Sequence, residues 1–272
     1  MTRKVITCTP SCTLLQVQQL MVNNDISRVV IINGGNQPVG IITQKDMINF
    51  LVADKSKRGI EEIAAEEAMT KELVTTKPST SIAEIAGLMV KNGISSIIIV
   101  GNGNKLEGIV TKTDITSWYS TTRSTFKVQD FMTTPPVTVK PSQSVFLVAS
   151  LMAEHSISRI VVVADKEKKP AGIITEADMT VMSRLLKPAK VLNEAKPLVV
   201  KGAIAPPKSV YLLTASDIMT ANPMTIKKDS ALTDAAQIMT KHRFSGLPVT
   251  DRGRLTGIIT KSDIIRAAAQ QK

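Results

Sequence analysis

The sequence predicts an α+β chain assembled from four copies of one β-α-β-β-α unit. Three observations carry this. A Gly-aliphatic-aliphatic-Thr-x-x-Asp segment occurs four times, at Gly40–Asp46, Gly108–Asp114, Gly172–Asp178 and Gly257–Asp263. Its aspartates are 68, 64 and 85 residues apart. An Ile-Ser-Arg-like turn precedes each segment, and an apolar stripe with helical spacing precedes each turn. Self-similarity at a fixed phase within one chain is the signature of a repeat architecture.

The elements follow in order. Thr7, Thr75, Thr138 and Thr225 open each copy, three residues before Pro10, Pro78, Pro141 and Lys228, and mark a short first strand. Ser11, Ser79, Ser142 and Asp229 come next as expected helix N-caps. Apolar residues then recur at i, i+3, i+4 and i+7. They are Ile82, Ile85, Ala86 and Met89; Val145, Val148, Ala149 and Met152; Leu232, Ala235, Ala236 and Met239. The first copy has Leu14, Val17 and Met21. This is the pattern of an amphipathic helix of about three turns facing a core, with methionine as filling. The helices should end near Asn24, Asn92, His155 and His242, residue types suited to a helix C-terminus.

β-branched runs beginning at Val29, Ile97 and Ile160, with Leu247 opening the fourth, read as buried strands. Turn-forming residues and the Gly-aliphatic-aliphatic-Thr strand complete a hairpin, and a second helix starts at Thr-x-x-Asp. A unit of roughly 50 ordered residues is too small for a generous core of its own. Arg28 and Arg159 occur in copies one and three, whereas Ser96 and Gly246 stand there in copies two and four. That alternation suggests two pairs, one plus two and three plus four.

The repeats resemble CBS domains, named after cystathionine β-synthase, which occur in tandem pairs called Bateman modules. The resemblance rests on the four Gly-to-Asp segments, the Ser-Arg-like turns, and the Asp130-Phe-Met-Thr and Asp217-Ile-Met-Thr lead-ins. It implies one module over residues 1–125, with repeats at about 3–53 and 67–120. A second spans 126–272, with repeats at about 128–185 and 215–270 and a basic insertion at 186–214. It also implies that two modules pack as a disc, a layout similar to that of the gamma subunit of AMP-activated protein kinase.

The resemblance further implies clefts that bind adenosine-containing ligands. Asp46, Asp114, Asp178 and Asp263 would hold ribose hydroxyls, with Thr43, Thr111, Thr175 and Thr260 toward phosphate. Ser27, Arg28, Ser95, Ser158, Arg159 and Ser245 would lie on the phosphate side. Thr7, Thr75, Thr138 and Thr225 would lie beside the base. Each arginine can serve the aspartate site of its partner repeat. The chemistry fits: a carboxylate accepts two hydrogen bonds from a cis-diol, and helix N-termini and guanidinium groups suit phosphate. The same Thr-x-x-Asp is also a helix-capping arrangement, which explains four copies without any ligand.

Composition narrows the function classes. The chain has 272 residues, with 34 Lys+Arg against 23 Asp+Glu, 8 aromatics, 2 Cys and 2 His. His155 and His242 cannot build a three-histidine metal site. Cys8 and Cys12 have no second pair for zinc and read as incidental thiols. There is no P-loop, no Gly-x-Ser-x-Gly and no nucleophile beside a base, so the chain is not expected to be an enzyme. No cofactor is required, and AMP, ADP, ATP or S-adenosylmethionine are the expected ligands. No apolar run of about 18 residues spans a membrane, and no secretory signal opens the chain, so the cytoplasm is expected.

Charge is lopsided. Residues 1–130 carry 14 basic and 12 acidic side chains, and 131–272 carry 20 and 11. The insertion holds Lys187, Lys190, Lys196, Lys201 and Lys208 against Glu194, and reads as a Pro-stiffened connector or a docking surface. A nucleotide sensor acting on a protein partner leads. A nucleic-acid-binding protein using the basic half, or a ligand-free scaffold, are the alternatives. Monomer and homodimer both fit.

Overall fold

The computed structural model describes residues 1–56, 58–164, 168–179, 198–200, 203–205 and 213–271. It divides into two compact units. One is Met1–Thr121 with Ile264–Lys272, and the other is Thr122–Asp263.

Each repeat has the expected order of elements. In the first, strand Thr7–Cys8 leads to helix Leu14–Asn23, strands Arg28–Ile32 and Pro38–Thr43, and helix Gln44–Ala53. The second repeats this with Thr75–Thr76, Ile82–Lys91, Ser96–Val100, Leu106–Thr111 and Lys112–Tyr119. The third has Thr138–Val139, Val145–Glu154, Arg159–Ala164, Lys169–Thr175 and a helix over 176–179. The fourth has Ile226–Lys227, Leu232–Lys241, Gly246–Asp251, Arg254–Thr260 and Lys261–Ala268. In the sheet of each repeat the short first strand pairs parallel with the middle strand, and the hairpin pairs antiparallel.

Helix ends correct one expectation. The N-caps are Thr13, Ser81, Ser144 and Ala231, two residues beyond Ser11, Ser79, Ser142 and Asp229. The earlier positions belong to a turn, closed by Cys12 N to Thr9 O and by Thr80 N to Lys77 O. At the other end Asn24, Asn92, His155 and His242 are the C-caps as read from sequence. The left-handed residues are the next ones, Asp25, Gly93, Ser156 and Arg243. His242 stacks on Phe244 at 5.5 Å between ring centroids.

The middle strand is buried on both faces. Val29 and Ile31 join a core with Leu14, Val17, Met21 and Ile42. Val30, on the opposite face, packs with Ile98, Val100 and Ile109 of the second repeat. Period-two alternation of the strand supplies one residue set to each face. Each fully buried aliphatic side chain contributes roughly 1.5–3 kcal/mol.

The repeats also exchange their lead-ins. Ile63 and Ala65, from the segment before repeat two, complete the core of repeat one. Ala215 and Ile218, before repeat four, do the same for repeat three. Thr70 bridges Ile41 and Thr2 bridges Ile109, and in the second unit Thr133 bridges Ile258. Met69 thus reaches Gly40, Met1 reaches Gly108, Met219 reaches Gly172, and Met132 reaches Gly257. A Cβ on Gly257 would lie 2.7 Å from Met132 Sδ and 2.9 Å from the Thr133 carbonyl oxygen. Gly108 and Gly257 leave room for a backbone oxygen of the neighbouring repeat, and Gly40 and Gly172 for a methionine side chain.

Among the expected features, most of the basic insertion lies outside the described residues, including its five lysines. Strands Leu198–Val200 and Ala203–Ala205 within it pair antiparallel.

Two predictions follow from the packing. Gly257→Ala is expected to cost about 1–3 kcal/mol by overpacking against a backbone oxygen that cannot retreat; a lower urea midpoint at unchanged slope checks it. Cys8 lies in the core of repeat one, and burial, with a hydrogen bond to Cys12, pushes its thiol up to about 12. At pH 8 only about 10⁻⁴ of it is thiolate, so it should resist iodoacetamide until the protein is unfolded. Mass mapping of the alkylated cysteines before and after denaturation reads this out.

Candidate ligand-binding clefts

Every second helix starts with the same box. Thr43 N and Oγ1 donate to Asp46 Oδ2 at 2.8 and 2.6 Å, and Asp46 N donates back to Thr43 Oγ1 at 3.3 Å. Thr111 and Asp114 repeat these bonds at 2.8, 2.6 and 3.3 Å. Thr175 donates to Asp178 Oδ2 through N and Oγ1, both at 2.8 Å, and Thr260 to Asp263 Oδ2 at 2.6 and 2.9 Å. The capping expected as an alternative is therefore present in all four repeats. The box engages Oδ2 of each carboxylate and leaves Oδ1 outside it. Capping and ligand contact are compatible on one residue.

Two clefts open in the first unit, each lined by both repeats. The first has a volume of about 240 Å³ and brings Thr43 and Asp46 of repeat one against Glu72, Ser95 and Ser96 of repeat two. The second, about 480 Å³, brings Thr111 and Asp114 of repeat two against Lys4, Ser27 and Arg28 of repeat one. Asp25 also lines it. Both have apolar walls, Leu73, Val74 and Ile98 in one and Val5, Ile6 and Val30 in the other. A planar base suits such a slot, and the helix N-terminus beside each Thr-x-x-Asp presents N–H groups to an anion.

Arg28 joins the two clefts. Its Nη1 donates to Ser95 Oγ at 3.0 Å and its Nη2 to Ser27 Oγ at 3.1 Å. Burial lowers its pKa, and the Asp114 carboxylate acts against that. A guanidinium remains charged under such a shift, so the cleft keeps a fixed cation.

In the second unit Arg159 stands in the equivalent place. Burial lowers its pKa, opposed by Glu176 and Asp263. Burial and then the charge of Arg159 also lower that of Lys261. Gly246 gives the arginine its room, since a Cβ there would meet Arg159 Cδ at 2.9 Å. Arg28 lies beside Asp114, and Arg159 beside Asp263.

Other sequence-selected residues are placed differently. Thr7 and Thr75 sit one position beyond the lining segments Val5–Ile6 and Leu73–Val74, and neither lines a cleft. Their backbones pair instead with Val30 and Ile98. Thr138 pairs with Val161, and Thr225 precedes strand Ile226–Lys227. Ser158 and Ser245 precede the middle strands of their repeats. Sequence reasoning missed Lys4 and Glu72, which stand three residues before Thr7 and Thr75 and line opposite clefts. The phase of the repeat was enough to find both. Among the described residues no group of three or more His, Cys, Asp or Glu side chains could hold a metal ion, and no helix is long and apolar enough to cross a membrane.

Comparison with known proteins agrees with the repeat count. The CBS domain model matches residues 1–53, 61–121, 128–181 and 215–270. The uncharacterised protein MJ1225 of Methanocaldococcus jannaschii is 26% identical over 97% of this chain and 95% of its own length. Its crystal structure, described as that of a candidate archaeal homologue of γ-AMPK, has a TM-score of 0.73 at 24% identity, covering 98% and 97% of the two chains. The uncharacterised protein MJ1404 of the same organism is 26% identical over the full chain, which spans 61% of that relative's length.

The box makes a prediction about stability. Asp114→Ala removes the cap and should cost about 1 kcal/mol. Asp114→Asn keeps an acceptor oxygen and loses only the charge at the helix N-terminus, about 0.5 kcal/mol. Urea unfolding of the two variants, without ligand, gives the comparison.

Proposed function

The chain is a member of the CBS-domain family, and from that premise we propose that it is a regulatory receptor for adenosine-containing ligands, binding them without turnover. One observation carries the reading. Arg28 of repeat one and the Thr111–Asp114 box of repeat two line the same 480 Å³ cleft. Asp114 Oδ1 is outside the capping box and suits a ribose cis-diol, while Arg28 and Lys4 suit phosphate. A nucleoside monophosphate has that sequence of groups: planar base, diol, anion.

Control of a partner follows from the cleft's being built by two repeats. A ligand held by both stabilises one arrangement of them, and can shift an equilibrium only by its differential affinity for the two states. The protein partner is one that distinguishes those states.

Native mass spectrometry of the full chain with AMP, ATP, S-adenosylmethionine and NAD counts ligands and identifies them. Arg28→Ala should weaken AMP binding at least tenfold, since a charge-assisted hydrogen bond is worth about 1.5–3 kcal/mol. Ser95→Ala removes the acceptor that holds Arg28 but keeps the guanidinium, and should leave AMP affinity within about threefold of the starting protein or raise it. Unchanged AMP affinity in Arg28→Ala overturns the phosphate assignment. Bare protein in all four ligands overturns the reading as a whole and leaves the four boxes as helix caps.

A further inference from the structure

The two clefts of the first unit have the same construction and a different charge balance: Lys4 and Arg28 stand against Asp25 and Asp114 in the larger, whereas Asp46 and Glu72 stand without a lining cation in the smaller. Glu72 and Lys4 occupy equivalent positions, three residues before Thr75 and Thr7, and each lines the cleft holding its partner repeat's box. Ser96 and Arg28 are likewise equivalent, each opening the middle strand of its repeat. The positions that bring two cations to the larger cleft therefore bring a carboxylate and a hydroxyl to the smaller one. The smaller cleft is lined by Asp46 and Glu72 and by no Lys, Arg or His.

A phosphate placed in the smaller cleft as in the larger would face Glu72 where the larger offers Lys4. Like charges at close range disfavour such a complex, and no guanidinium lines this cleft: Arg28 reaches it only through Ser95, whose Oγ accepts from Arg28 Nη1 at 3.0 Å. The base slot and the ribose acceptor are nevertheless retained, through Leu73, Val74 and Asp46. We infer that the smaller cleft is a separate site for an adenosine derivative without phosphate, and that it favours one whose 5′ substituent is positively charged, as in a sulfonium. Glu72 is the specificity-determining residue. This rests on the adenosine-ligand reading and divides the two clefts by ligand class: phosphorylated nucleosides beside Arg28, unphosphorylated and cationic ones beside Glu72.

Isothermal titration calorimetry of the full chain with AMP, adenosine and S-adenosylmethionine tests it. Asp46→Asn keeps the cap acceptor but replaces the diol acceptor by a donor. It should remove one equivalent of S-adenosylmethionine and of adenosine, and leave the AMP stoichiometry unchanged. Glu72→Lys, at an exposed position that does not disturb the core, should weaken S-adenosylmethionine at that cleft at least tenfold and add one equivalent of AMP. Loss of an AMP equivalent in Asp46→Asn overturns the division by ligand class. So does an unaltered S-adenosylmethionine and adenosine count in both variants while AMP still binds. If none of the three probes binds the starting protein, the parent reading falls with this one.

Discussion

The exchange of lead-in segments between paired repeats is the constraint from which the rest of the structure follows. A repeat's own three strands and two helices leave its last strand unpaired on one edge and its core open. The neighbour's lead-in supplies both needs: Thr70 bridges Ile41 by backbone, and Ile63 and Ala65 fill the core of repeat one. Thr2 does the reciprocal service at Ile109. Because the contact is reciprocal, neither repeat is complete without the other. The glycine in the last strand of the hairpin permits the approach: a Cβ on Gly108 or Gly257 would meet a backbone oxygen of the neighbouring repeat at 3.0 or 2.9 Å, and one on Gly40 would overlap the Met69 side chain. Repeats joined in this way bring the box of one opposite the Ser-Arg turn of the other. The clefts are a geometric consequence of the exchange.

The helix caps and the clefts share their chemistry for a related reason. A helix beginning at a sheet edge exposes N–H groups that need acceptors. Asp46 and Asp114 supply one oxygen to that need, and both residues line a cleft. The first-turn charge also complements the helix dipole. Capping therefore does not compete with the ligand contact proposed for the same residue, because it uses one carboxylate oxygen only.

Much of this was legible in the sequence, and the remainder was hidden for identifiable reasons. The four-copy count, the order of elements, the helix stripes and the C-caps at Asn24, Asn92, His155 and His242 all follow from local spacing. The N-caps were misplaced by two residues, because Ser11 and Ser79 are good cap types that the chain uses in a turn. The resemblance places Thr7 and Thr75 on the base side, whereas the residues that line the two clefts are those just before the strands, Val5–Ile6 and Leu73–Val74. The lead-in exchange was overlooked although Met-Thr recurs at Met1–Thr2, Met69–Thr70, Met132–Thr133 and Met219–Thr220. Its meaning is non-local: each dipeptide contacts a repeat other than the one it introduces.

The repeated motif is consequently a poor guide to what each cleft accepts. Thr-x-x-Asp is held in all four repeats by its capping role, and it would be held whether or not a ligand ever occupied the cleft beside it. The two clefts differ at positions with no part in the cap, namely Lys4 against Glu72 and Arg28 against Ser96. These side chains line open space, and folding constrains them weakly, so they diverge between copies while the box does not. Arg28 is the exception that links the two, because it also bonds Ser95, which lines the opposite cleft. The guanidinium that lines the larger cleft is thus also a hydrogen-bond donor to the wall of the smaller one, so a single side chain belongs to both.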